Sequence, residues 1–308
     1  MGVLASLFGY VLNFLYNLVQ NYGIAIILFT VLLKIVMLPI SIKQQRTMKK
    51  SQEVQKEVDK AQLKYKNNPE MLSKEVMAIY KREKVSPFSG CLSGILQLVI
   101  FISVFYLVSR PLTYMKKVDP AVISKYEQEI AASGQSSSYQ EIKVIELKSG
   151  EDQNVALNMN FLGFDLSKVP MQNWKDWKVF IIPFFYVLLT FVNIRMTSKD
   201  MKKDKKIKEI EAGKEKVKEK ELDKTDNDLD KKVEKNNNKE TPEEQLDSMK
   251  QMTNNMNYMM PIMSISISLI APLGLSLYWL ISNILQLGEK IVIDKVMNNK
   301  KQEEIKDV

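Results

Sequence analysis

One charged residue, Lys34, lies inside an otherwise apolar run from Gly23 to Ile42, and this run most constrains what the chain can fold into. About 20 helical residues at 1.5 Å each cross a hydrocarbon core of about 30 Å. Similar runs recur without any charge: Pro87 to Ser109, Val179 to Ile194, and Asn254 to Gly288. The last is long enough for two short spans joined through Ala271-Pro272-Leu273-Gly274. A mean hydropathy of −0.16 and 26% charged residues would suit a soluble protein, but apolar and charged residues are segregated along the chain. The predicted fold is therefore all-α, a polytopic membrane protein with five transmembrane helices.

The expected spans are residues 22–42, 87–109, 178–196, 255–271 and 273–289. Residues 1–21 read as an uncharged amphipathic helix in the membrane interface, with Ser6, Asn13, Asn17 and Gln20 on one stripe. An extra full span is the rival reading, and the missing basic flank argues against a secretory signal. Residues 43–86 carry about twice as many basic as acidic residues. There Val54, Val58, Ala61 and Tyr65, then Leu72, Val76 and Ile79, step along one helical face on either side of Asn67-Asn68-Pro69, predicting a helical hairpin. It serves either as a spacer or as a contact surface for lipid, ribosome or client. Residues 197–254 form a charged loop, helical or disordered by composition, and 290–308 a basic tail. Residues 110–177 are close to neutral. The positive-inside rule then puts the N-terminus outside, and the hairpin, charged loop and C-terminus in the cytoplasm of a bacterial plasma-membrane protein.

Several chemistries are excluded. The chain has no histidine and one cysteine, Cys91, so no Ser-His-Asp set, disulfide framework or Cys/His metal cluster can form. Neither a Walker loop nor a GxGxxG motif is present. No enzyme activity, cofactor, metal or direct DNA binding is expected.

Lys34 remains the anomaly. It lies roughly 13 Å or more from either end of its run, and a lysine at the bilayer centre costs about 2.5–3.5 kcal/mol. The apolar runs contain no acid to pair with it. Such a cation faces water, or receives an anionic visitor. Gln97, Asn193, Ser276, Ser282, Asn283 and Gln286 offer polar groups for the same cavity, and the methionines from Met249 to Met263 suit varied apolar partners. A small-anion channel or carrier is one reading, although no internal repeat of the transporter kind is visible. An assembly factor in which Lys34 is dispensable is another.

The segment from Asn21-Tyr22-Gly23 through Lys34 to Leu38-Pro39-Ile40-Ser41 resembles the YidC family of membrane protein insertases. So do Gly90-Cys91-Leu92 with Gln97, Asn160 to Leu166, Met256 to Met263, and Gly274-Leu275-Ser276-Leu277-Tyr278-Trp279. The resemblance implies five spans around a hydrophilic groove that binds clients, with Lys34 as its cation where the family more often has arginine. It implies Asn193 in place of a glutamine, and Trp279 as the groove tryptophan. The implied function is insertion and chaperoning of nascent membrane proteins, with membrane lipids, the Sec translocon and the ribosome as partners and no nucleotide hydrolysis.

Overall fold

The computed structural model describes residues 2–65, 68–85, 89–135, 137–196 and 263–306. The charged loop 197–254, the first half of the fourth expected span with most of its methionines, Asn67 and Pro87 lie outside the described residues. So do the side chains of Cys91 and Ser93 and those of the tail beyond Ile293.

Helix α1 (Gly2–Val19) packs through Ala5, Gly9, Leu12 and Tyr16, whose 4-3-4 spacing keeps them on one face. The opposite stripe of Val3, Leu7, Tyr10, Phe14 and Leu18 is exposed and apolar. Gln20, at φ 50°, turns the chain into α2 (Tyr22–Lys64). Asn21 caps α2, its Oδ1 accepting from the Ile24 amide at 3.1 Å and its Nδ2 donating to the Asn160 carbonyl at 2.7 Å.

α2 runs for 43 residues with Pro39 inside it, so the expected boundary at 42/43 carries no break in the helix. Helix α3 (Pro69–Arg82) folds back on the far end of α2. Asn68 caps it, and Pro69 occupies a first-turn position where its missing N–H costs nothing. Val54, Val58, Ala61, Leu72, Val76, Ile79 and Val85 form a separate buried cluster in this hairpin, and Arg82 reaches across to Glu57.

α4 (Ser89–Ser109) leads to a π-helical turn (Leu112–Lys116), then to α5 (Pro120–Ala132) and α6 (Gln140–Lys148). The turn abuts α1 so closely that a methyl on Gly9 would stand 1.8 Å from the Tyr114 carbonyl oxygen. Glu141, only 5% exposed, holds the turn from α6. Its carboxylate accepts from the Thr113 amide at 3.0 Å and from the Thr113 hydroxyl at 2.6 Å. Burial pushes the Glu141 carboxyl above the usual carboxylate range, although the bonds from Thr113 pull the other way.

A two-stranded antiparallel ribbon, β1 (Asn160–Phe161) and β2 (Phe164–Asp165), turns at Leu162 and Gly163, both at positive φ. The expectation of a purely helical fold omits this ribbon, because two-residue strands leave no alternation to read. A 3-10 turn at Trp177–Phe180 enters α7 (181–196). Then α8 (263–270), Ala271 and Pro272 lead into α9 (Leu273–Lys306).

Among the described residues, three helical stretches are long and apolar enough to cross a membrane, Gly2–Val19, Tyr22–Thr47 and Trp177–Met196, and a shorter apolar helix covers Gly94–Ser109. One core cluster joins α1, α2, α4, the 110–180 segment, α7 and α9. The protein is a helical, multi-pass membrane protein.

Candidate functional site

Lys34 stands on the α2 face that turns toward α4 and α9. Stepping by three or four from it gives Thr30, Met37, Ser41 and Gln44, all on that face. Together with Leu33 they form the α2 wall of a cavity. α4 contributes Leu96, Gln97 and Ile100, and α9 contributes Tyr278 and Ser282. The cavity volume is about 40 Å³. A water needs about 10–15 Å³ measured this way, so the space holds roughly three waters, and its polar lining suits them. Thr30 spends its hydroxyl proton on the Ile26 carbonyl at 2.6 Å, which leaves Lys34, Gln97, Ser41, Gln44 and Ser282 to solvate the interior.

Lys34 forms no ion pair within 4.0 Å among the described residues. α9 continues unbroken past Gly288, and Glu289 lies within that helix. The apolar run ends at Gly288, but the helix does not.

Of the residues singled out from the sequence, Lys34, Gln97 and Ser282 meet in this cavity, whereas Gln286, Trp279, Asn283, Ser276 and Asn193 do not line it. Trp279, 6% exposed, stacks on Phe101 of α4 with centroids 5.4 Å apart and leans on Tyr186 of α7 at 5.6 Å. Asn283 donates to the Thr190 hydroxyl of α7 at 2.9 Å. Ser276 is fully buried and donates to the Ser268 carbonyl at 3.0 Å, tying α9 to α8. Asn193 is half-buried near the end of α7. Trp279, Asn283 and Ser276 fasten α9 to its neighbours and so hold Tyr278 and Ser282 against Lys34. Sequence reasoning missed Thr30, Ser41, Gln44 and Tyr278 as lining residues. The usable signal was their spacing from Lys34 along α2.

On the surface, α7 exposes Phe184, Phe185, Leu188 and Phe191, and α2 exposes Ile35 and Val36. Apolar faces this extensive are satisfied by lipid or by another apolar helix.

A helical membrane protein with a cation in a polar interior cavity is the class that this fold and site define. The family described as 60Kd inner membrane protein matches residues 14–212 and 229–301, nearly the whole chain, and the chain belongs to it. Its relatives include three proteins named membrane protein insertase YidC. That of Caldanaerobacter subterraneus subsp. tengcongensis is 40% identical over 108 residues, 35% of this chain and 52% of the relative. That of Rickettsia prowazekii is 41% identical over 96 residues, 31% of this chain and 17% of the relative. That of Syntrophus aciditrophicus is 46% identical over 94 residues, 30% and 17%. The matched stretch thus spans about half of the first relative and under a fifth of the other two.

Proposed function

We propose that this protein inserts membrane proteins into the bilayer, and that Lys34 draws a client's hydrophilic tail into the cavity between α2, α4 and α9. The observation that carries the reading is a lysine inside an apolar helix, facing a polar cavity large enough for water. The names of the relatives support it. Hydrating a polar tail partway across the membrane lowers its desolvation cost, and Lys34 attracts its negative charge in a low-dielectric setting. At about 40 Å³ the cavity accepts one client carboxylate in place of water, so engagement proceeds through single acidic side chains. The client's apolar segment moves into lipid along the exposed face of α7, driven by hydrophobic partitioning without nucleotide hydrolysis.

The accompanying topology has five spans, with α8 and the first part of α9 as the last two. α1 lies in the outer interface against the π-helical turn, and the α2–α3 hairpin and C-terminus are cytoplasmic. The basic hairpin and the tail contact anionic lipid and the ribosome, and the Sec translocon is a further partner. Gln97 lines the groove with Lys34, while Asn193, Ser276, Trp279 and Asn283 position its walls.

Reconstituted proteoliposomes test this with a single-span client bearing a short acidic N-terminal tail. Insertion is retained in Lys34→Arg, reduced in Lys34→Ala and lowest in Lys34→Glu. Equal insertion by all of these and the wild type refutes the role of Lys34. Anion flux through the purified protein in the absence of client replaces the reading with an anion conduit.

A further inference from the structure

The contacts between α2 and α9 set their register. A methyl on Gly274 would touch Tyr22 and Ile26 at 3.5 Å. Further along, Tyr278 and Ser282 share a cavity with Thr30 and Lys34. Steps of four along α9 therefore match steps of four along α2, and the helices run parallel. Continuing the register puts Glu289 level with Ser41, about 10 Å along the axis from Lys34 at 1.5 Å per residue. Ser41 and Gln44, at and beyond that level of α2, also line the cavity.

Glu289 also faces inward. Glu289 is half-buried, and it shares a face of α9 with Ser282 of the cavity lining and with Ile293, which is 6% exposed. Glu289 Oε1 is buried and accepts no hydrogen bond among the described residues. A carboxylate oxygen withdrawn from water without a donor is costly unless a nearby cation offsets it. By the register above, Lys34 is the cation of the adjoining cavity, about 10 Å away along the axis.

We propose that Glu289 is a built-in competitor at the mouth of the Lys34 cavity, setting by charge which client tails enter. This rests on the insertase reading above. With the cavity empty, Glu289 partly neutralises Lys34. An acidic tail passes Glu289 against repulsion and takes over its role as counter-charge. A tail carrying lysine is attracted at the mouth and repelled further in. Glu289 is a specificity-determining residue, and its effect depends on tail charge in a way that a purely structural role does not.

The test uses the full-length protein in proteoliposomes and one single-span client with three tails: two aspartates, no charge, or two lysines. Wild type is compared with Glu289→Gln, Lys34→Ala and the double variant. Glu289→Gln keeps the shape of the side chain and removes its charge. It raises insertion of the aspartate tail by about fivefold, the scale of an ordinary pairwise coupling. It leaves the uncharged tail unchanged and lowers the lysine tail, and its gain on the aspartate tail shrinks when Lys34 is alanine. If Glu289→Gln changes all three tails equally, or leaves the aspartate tail unchanged while Lys34→Ala still lowers it, the inference is overturned and the insertase reading stands. If Lys34→Ala leaves insertion of the aspartate tail unchanged, the insertase reading fails at its own residue and this inference fails with it.

Discussion

Gly9→Ala is the substitution whose effect follows most directly from the structure. The added methyl would stand 1.8 Å from the Tyr114 carbonyl oxygen and 2.6 Å from its carbon. Both are backbone atoms of the π-helical turn, which Glu141 anchors at Thr113, so a rotamer change cannot relieve the contact. The two backbones must part by more than about 1 Å, and a gap of that size forfeits a quarter to half of the dispersion well of each contact. Leu12 and Tyr16 pack on the same α1 face. Each contributes about 1.5–3 kcal/mol by burial, so losing a third of both costs roughly 1–2 kcal/mol. Overpacking strain adds about 1–3 kcal/mol. Alanine's better helix propensity returns about 1 kcal/mol. The net expectation is a loss of about 2 kcal/mol in the docking of α1, with α1 remaining helical. Gly2→Ala is the control, because its methyl would meet only the Tyr114 side chain, at an ordinary 3.7 Å. Amide hydrogen exchange in detergent micelles reads the outcome. Gly9→Ala lowers protection across residues 2–19 and 112–116, and Gly2→Ala does not. Equal protection in the two variants would refute the close approach of α1 to the turn.

Two further outcomes follow from groups away from the Lys34 cavity. The raised carboxyl of Glu141 means that the folded loop keeps a proton that the unfolded chain has released. Its contribution to stability is fully present below the ordinary carboxylate value of 4.5 and is lost as pH rises through the higher folded value. Exchange protection of residues 112–116 and 140–148, corrected for intrinsic rates, therefore increases on acidification toward that value, and Glu141→Gln flattens the trend; a flat wild-type profile contradicts it. Trp279→Ala removes a ring packed between Phe101 and Tyr186 and costs about 3–5 kcal/mol, whereas Trp279→Phe keeps a ring on Phe101 and recovers most of it. Thermal unfolding in detergent separates the two, and identical midpoints for Ala and Phe would show that the stack contributes nothing.

The helical architecture was legible wherever physics imposes a long-range pattern. The apolar runs around Lys34, at 94–109 and at 177–196 are helices long enough to notice because charge is excluded from them. The spacing of Val54, Val58 and Ala61 against Leu72, Val76 and Ile79 is that of the packed face of the α2–α3 pair. The candidate site was harder to read. α9 is apolar or weakly polar on every side where it meets α2, α7 and α8, so its periodicity could not assign Trp279 and Asn283 to α7 and Ser282 to the cavity. Glu289 was hidden for another reason. A hydropathy boundary marks where apolar residues stop, and helical hydrogen bonding does not stop there. The ribbon at Asn160–Asp165 depends on a turn at Leu162 and Gly163, together with a bond donated by Asn21 and one accepted by Asn158, which no local composition announces.

The unbroken course of α2 has a mechanical consequence. Pro39 removes one backbone hydrogen bond five residues beyond Lys34, and Lys64 lies 25 residues further on. At 1.5 Å per residue these are unequal lever arms of about 7 Å and 37 Å. A bend of about 10° at the proline, the kind of deformation prolines permit, swings the hairpin end by roughly 6 Å. The same bend moves Lys34 by about 1 Å, the distance that makes or breaks a hydrogen bond. A bend at Pro39 therefore lets the hairpin swing widely while the ammonium group stays within about 1 Å of its place.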